Sequence, residues 1–138
     1  MAAHVVNISD RPDIEAIIER PGTGAVPGTE RKSTRYLGVP GDNPLDPEQP
    51  PFAFYIKRPA GDVTPEHSHR ANRVEFVIEG TIEWRERGKE PVAYGAGTLT
   101  YVEAGTVYGY TVLEDATILI IFETRPRSSE YAAARNAY

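Results

Sequence analysis

The stretch that decides the reading of this chain is GDVTPEHSHRANRVEFVIEG, running from Gly61 to Gly80. Glycine closes each end, β-branched and aromatic residues fill the second half, and two of the chain's three histidines, His67 and His69, stand one residue apart. Side chains on a strand alternate between faces, so a His-x-His pair on extended backbone puts both imidazoles on one side. Arg73 and Glu75 obey the same parity and share a face, one rung apart. Two imidazole nitrogens converging from one strand supply half of a metal site. The polar neighbours Glu66, Ser68 and Arg70 equally suit a solvated pair beside a turn.

Outward from this stretch the pattern repeats. Phe52 to Arg58, Val63 to His69, Val74 to Glu79, Thr81 to Glu86, Pro91 to Tyr94, Thr98 to Val102, Thr106 to Leu113 and Thr117 to Glu123 are short β-branched and aromatic runs. The punctuation between them is Gly61-Asp62, Gly80, Gly88-Lys89, Gly95 to Gly97, Gly105 and Glu114-Asp115. That spacing predicts an antiparallel sandwich or barrel, with Ser33 to Val39 adding one more strand. Ahead of it, Ser9 and Asp10 are candidate helix caps, Pro12 suits a first turn, and Ile14, Ile17 and Ile18 fall on one face before Pro21-Gly22 stops the run, which predicts one short N-terminal helix. The glycine- and proline-rich segments 21–30 and 39–51 read as loops. The tail from Arg125 reads as a short helix or a fraying end.

The composition bounds the function. A chain of 138 residues fits one domain, and 40% hydrophobic with 25% charged residues is a globular composition without the apolar run of about 20 residues that a membrane span needs. Cysteine is absent, which excludes disulfides, thiolate metal sites and cysteine nucleophiles. A formal charge of -5 with scattered basic residues lacks the footprint of a phosphate-backbone binder, so no nucleic-acid partner is expected. The N-terminus lacks the pattern of a secretory signal, and a cytoplasmic location is expected. No nucleophile-elbow sequence occurs, both core histidines sit in the His-x-His pair, and Gly22 to Gly24 and Gly95 to Gly97 lack the context of phosphate cradles.

The run from Gly61 to Gly80 resembles the first motif of the cupin superfamily, G-(X)5-H-X-H-(X)3,4-E-(X)6-G. Gly97 to Val112 resembles the second, G-(X)5-P-X-G-(X)2-H-(X)3-N, and the sixteen residues between Gly80 and Gly97 suit the spacing between the two motifs. The resemblance extends over Phe52 to Glu123. It implies an all-β fold, a cupin-type jelly-roll β-barrel in a single domain over 1–138, with its core about 33–123, a short N-terminal helix, a C-terminal tail at 124–138, and pairing into a homodimer. It also implies a pocket in the barrel mouth lined by His67, His69, Glu75 and Tyr108, with Arg73, Trp84 and Tyr110 as neighbours. Cupin metals are usually held by the two histidines and the glutamate of the first motif and the histidine of the second. Here the histidines match as His67 and His69, the glutamate position is Arg73 with Glu75 two residues on, and the second-motif histidine is Tyr108. The second motif's proline is Glu103 and its asparagine Val112, so the usual four-ligand set is absent.

Three arrangements of the site follow. In one, His67, His69 and Glu75 hold a divalent ion (iron, zinc, manganese or nickel) with Tyr108 or water completing the set. In another, only the histidines bind a metal, weakly, while Arg73 pairs with Glu75. In the third there is no metal: the Arg73 guanidinium repels a dication and clamps a carboxylate or enolate, a histidine acts as general base, and Tyr108 is acid or oxyanion donor. The leading expectation is a metal-dependent oxygenase or lyase/isomerase acting on a small oxygen-rich molecule such as a keto, enol or phenolic acid, with Tyr108 and Arg73 as catalytic groups. The alternatives are a metal-free cyclase, epimerase or dehydratase, and a cupin that binds a ligand without turnover. Trp84, Phe54, Phe76 and Phe122 read as core or pocket wall, and either Lys57 or Arg58 points inward.

Overall fold

The computed structural model describes residues 18–21, 32–36 and 50–124. Over these the chain forms eight strands and no helix: β1 (Ile18–Pro21), β2 (Lys32–Tyr36), β3 (Phe52–Arg58), β4 (Val63–His67), β5 (Arg73–Glu86), β6 (Val92–Gly95), β7 (Leu99–Val102) and β8 (Tyr108–Phe122). All pairings are antiparallel, in the order β1-β2-β3-β8-β5-β6, with β4 also on β8 and β7 also on β5. The expected N-terminal helix lies almost wholly outside the described residues, and its last positions, Ile18–Pro21, form β1. The expected tail at 124–138 lies outside them from Arg125 onward.

The two long strands organise the sheet. The second half of β8 pairs with β3 along one edge, Phe52↔Phe122 to Arg58↔Ala116, and with the first half of β5 along the other. Its first half pairs with β4 and with the second half of β5, Glu86↔Tyr108 included. The sequence reading placed breaks at Gly80 and at Glu114-Asp115. Both positions instead lie inside continuous strands that bend there: the β5–β8 register shifts between Val77 and Ile82, opposite 112–118. Gly80 explains why the bend needs a glycine. Its φ is +85°, and a Cβ there would lie 2.2 Å from the Asp115 carbonyl oxygen.

Alternation decides what faces inward. Arg73, Glu75 and Val77 are buried on the first half of β5, and after the shift the inward set becomes Ile82 and Trp84. Tyr108, Tyr110 and Val112 are buried on one half of β8, and Ile118, Ile120 and Phe122 on the other. With Phe52, Ile56 and Val102 these make one core cluster. Burying each large apolar side chain contributes about 1.5–3 kcal/mol, which is what holds a sheet with polar groups inside it.

Candidate functional site

Pro65 sits within β4 and has no N–H for the ladder, and the β4–β8 register shifts between Thr64 and His67. The shift turns the His67 side chain inward, where it is buried and pairs with Tyr108 across the strands. His67 Nδ1 donates to the Pro65 carbonyl at 2.8 Å. A carbonyl can only accept, so Nδ1 carries the proton and Nε2 holds the lone pair. Burial is the largest influence on this ring and lowers its pKa below the ordinary 6.5. The guanidiniums of Arg73 and Arg58 push the same way, against the Pro65 carbonyl and Glu75. The imidazole is therefore neutral at pH 7, with Nε2 as its base.

His69 lies past the end of β4, yet it is buried, with its ring 4.7 Å from that of His67 and nearly perpendicular to it. Unbroken strand parity does not bring the pair together; a stapled loop does. Gly105 N donates to the His69 carbonyl at 2.8 Å, and the Asn72 side chain accepts from Ala104 N at 2.8 Å and donates to Glu123 at 3.2 Å. His69 Nε2 stands 2.9 Å from Arg73 Nη1. A guanidinium only donates, so this nitrogen accepts.

Arg73, the first residue of β5, is 2% exposed and is the hub of the site. Nη1 faces His69, Nη2 pairs with the Glu75 carboxylate, and the guanidinium carbon lies 4.6 Å over the Tyr108 ring and 5.3 Å from that of Phe122. Tyr108 is fully buried, its ring 4.6 Å from His67 and stacked on Trp84 at 4.5 Å with planes 9° apart. Its hydroxyl has no hydrogen-bond partner among the described residues. The neighbouring Gly109 lets β8 press onto β4 here, because a Cβ would meet the Thr64 carbonyl oxygen at 2.6 Å.

The expected metal ligands surround the Arg73 guanidinium. His67 and His69 are brought together, but the His69 lone pair accepts from Arg73, and Glu75 is paired with the same guanidinium. Two of the three expected ligands are therefore in contact with a buried positive charge, His69 through its accepting nitrogen and Glu75 through one carboxylate oxygen. Among the described residues no group of three or more His, Cys, Asp or Glu side chains is placed to hold a metal ion.

One cluster escaped the sequence reading, which left Lys57 and Arg58 undecided and took Asp62 as a turn residue. Lys57 is exposed and Arg58 buried. Arg58 Nε donates to Asp62 Oδ2 at 2.6 Å, Nη1 donates to the Thr64 hydroxyl, and the guanidinium carbon lies 5.0 Å over the Tyr110 ring. Burial opposes this charge, but Tyr110 and Asp62 outweigh it and raise the arginine pKa. Period-two parity from Phe52 and Ile56 to Arg58 was the one available signal.

Residues 54–122, half of the chain, match the family model described as the cupin domain. Among solved structures, an RmlC-like cupin from Shewanella frigidimarina NCIMB 400 is 19% identical, with 95% of this chain and 97% of that one covered and a TM-score of 0.63. KdgF from Halomonas sp. is 20% identical over 78% of this chain and 89% of that one, with a TM-score of 0.55. The DMSP lyase DddQ from Ruegeria pomeroyi DSS-3 is 25% identical over 54% of this chain, TM-score 0.48, and this chain spans only 41% of its length. The likenesses to the Shewanella and Halomonas proteins are likenesses of fold. No curated protein matches the sequence.

Proposed function

The chain belongs to the cupin family, and from that premise we propose that it binds a small oxygen-rich organic acid within a jelly-roll barrel and moves a proton on it without a metal. One observation carries this reading: the buried Arg73 guanidinium engages both His69 Nε2 and Glu75. A dication on His67, His69 and Glu75 requires Arg73 to release His69 Nε2 and to share the Glu75 carboxylate with a second positive charge held beside it in a buried site, which like-charge repulsion and desolvation both oppose.

The groups that remain suit acid–base chemistry. His67 is neutral, with its lone pair on Nε2, and beside it lies the ring of Tyr108, whose hydroxyl is buried. On a keto acid, Nε2 takes the proton from the carbon next to the carbonyl. The C–H electron pair moves onto the carbonyl oxygen, and the Tyr108 hydroxyl with the nearby Arg73 charge stabilises the resulting enolate. Return of the proton to the opposite face of the same carbon is an epimerisation. Expulsion of a β-hydroxyl, protonated by Tyr108 as it leaves as water, is a dehydration.

The test uses small keto, enol and phenolic acids in deuterated buffer with a chelator present, read by proton NMR. Exchange at the carbon next to the carbonyl persists in chelator, is abolished in His67→Asn and falls about 100-fold in Tyr108→Phe. Elemental mass spectrometry of untagged protein decides the opposite case: near-stoichiometric divalent metal, lost in His67→Ala and Glu75→Ala, overturns the proposal. Binding of acids with no exchange under any condition overturns its catalytic part and leaves a ligand-binding cupin.

A further inference from the structure

A second guanidinium is buried in the same interior as Arg73, and nothing in the proton-transfer scheme uses it. Arg58 is 5% exposed, and its orientation is fixed by the fully buried Asp62 on Nε and the buried Thr64 on Nη1. Its third nitrogen, Nη2, is buried and makes no hydrogen bond of ordinary geometry among the described residues, with Tyr110 the polar side chain that, besides Asp62 and Thr64, lies near enough to support the guanidinium charge. Buried donors on a charged group are paired as a rule, and an exception calls for an explanation. Tyr108 and Tyr110 lie side by side on β8, each parallel to Trp84 within 9°. Arg73 stands over the first ring and Arg58 over the second. His67 feels both positive charges.

We propose that Arg58 Nη2 is the carboxylate anchor of the site, so that the ligand is a keto or enol acid whose carboxylate rests on Arg58 while its reacting carbonyl faces Tyr108 and His67. This rests on the reading of the previous subsection and adds the polarity of the bound molecule. Arg58 suits the task because Asp62 and Thr64 already hold its plane, so binding needs no reorientation of the fork. The N–H groups of Nη2, beside Tyr110, meet a carboxylate with charge-assisted hydrogen bonds, whereas an ester of the same acid offers no charge to meet them.

Trp84, the only tryptophan of the chain, lies against both tyrosines and reports binding by its fluorescence. The probes are pyruvate, acetoacetate and 4-oxopentanoate, which space carboxylate and carbonyl differently, each titrated beside its methyl ester. Wild-type protein binds at least one acid about tenfold or more tighter than its ester. The Arg58→Met/Asp62→Leu double substitution, which removes both charges together, brings that ratio to about one. Arg58→Lys keeps a cation against Asp62 while removing Nη2, lowers the ratio as well, and decides the matter if the double variant does not fold by circular dichroism. An acid-over-ester preference that survives in these variants overturns the role of Arg58 and leaves the proton-transfer reading intact. Acids and esters that bind equally to wild type overturn it too. If no acid and no ester perturbs Trp84, both readings fall.

Discussion

Replacing Glu75 with leucine tests whether Arg73 and Glu75 act as one buried unit. Their side chains are 1% and 3% exposed, so neither charge has water to fall back on. In Glu75→Leu the guanidinium keeps the neutral His69 acceptor and the Tyr108 face but loses its counter-charge. Removing one partner of a buried pair typically costs about 3–5 kcal/mol. For a domain of this size that corresponds to a fall in Tm of roughly 10–15 °C. Arg73→Met strands the carboxylate in the same way and carries a similar cost. The double substitution Arg73→Met/Glu75→Leu removes both charges and fills their volume with apolar atoms, and it is expected to cost about 2 kcal/mol or less. The coupling energy of the cycle is then roughly 4 kcal/mol or more in favour of the pair. Urea unfolding followed by circular dichroism measures all four proteins, with the slope of the transition checked for constancy. A double variant that costs the sum of the singles, or a Glu75→Leu cost under about 1 kcal/mol, refutes the reasoning.

Three further outcomes follow from the structure. Burial holds the folded pKa of His67 below 6.5, so the unfolded chain takes up the proton first; the associated stability is intact above pH 6.5 and declines as the pH falls toward the folded value. His67→Asn flattens that limb of a Tm series taken over about pH 5 to 8, and an unchanged slope speaks against it. Gly80→Ala places a Cβ against the Asp115 carbonyl oxygen at φ +85°, and a loss above about 2 kcal/mol is expected in urea unfolding. Gly88→Ala, at φ +82° with open space around it, carries only backbone strain of about 1 kcal/mol, so equal losses at the two sites count against the close-approach argument. Asn72→Ala removes the amide that joins Ala104 to Glu123 and costs about 1–3 kcal/mol, read from the same unfolding curves.

The strands from Phe52 onward are legible as β-branched and aromatic runs closed by turn residues, even though Arg58, Arg73 and Glu75 are among their inward positions. The breaks were read less well, since a positive-φ glycine serves a chain reversal and a bend equally, and the use made of Gly80 depends on Asp115, thirty-five residues on. The sequence motifs imply a pocket of His67, His69, Glu75 and Tyr108 with Arg73 as a neighbour, and parity puts Arg73 and Glu75 on one face, as the burial of β5 shows. What decides their chemistry is which lone pair meets which N–H, and that is set by the Pro65 bulge and the staple through Asn72. Arg58 was half visible by parity. Asp62 looked like any residue after a turn glycine, and its burial follows from contacts far along the chain, such as the bond from Val112 N to its carbonyl.

The long pairing of β5 with β8, from Arg73↔Phe122 to Glu86↔Tyr108, also carries Glu75, Trp84 and Tyr110. Amide hydrogens in the innermost ribbon of a sheet exchange with solvent only through opening of the whole molecule, whereas edge strands such as β6 and β7 open locally at lower free energy. Arg73, Trp84 and Tyr108 therefore belong to the last of the described strands to come apart, and on heating their arrangement persists for as long as the sheet itself.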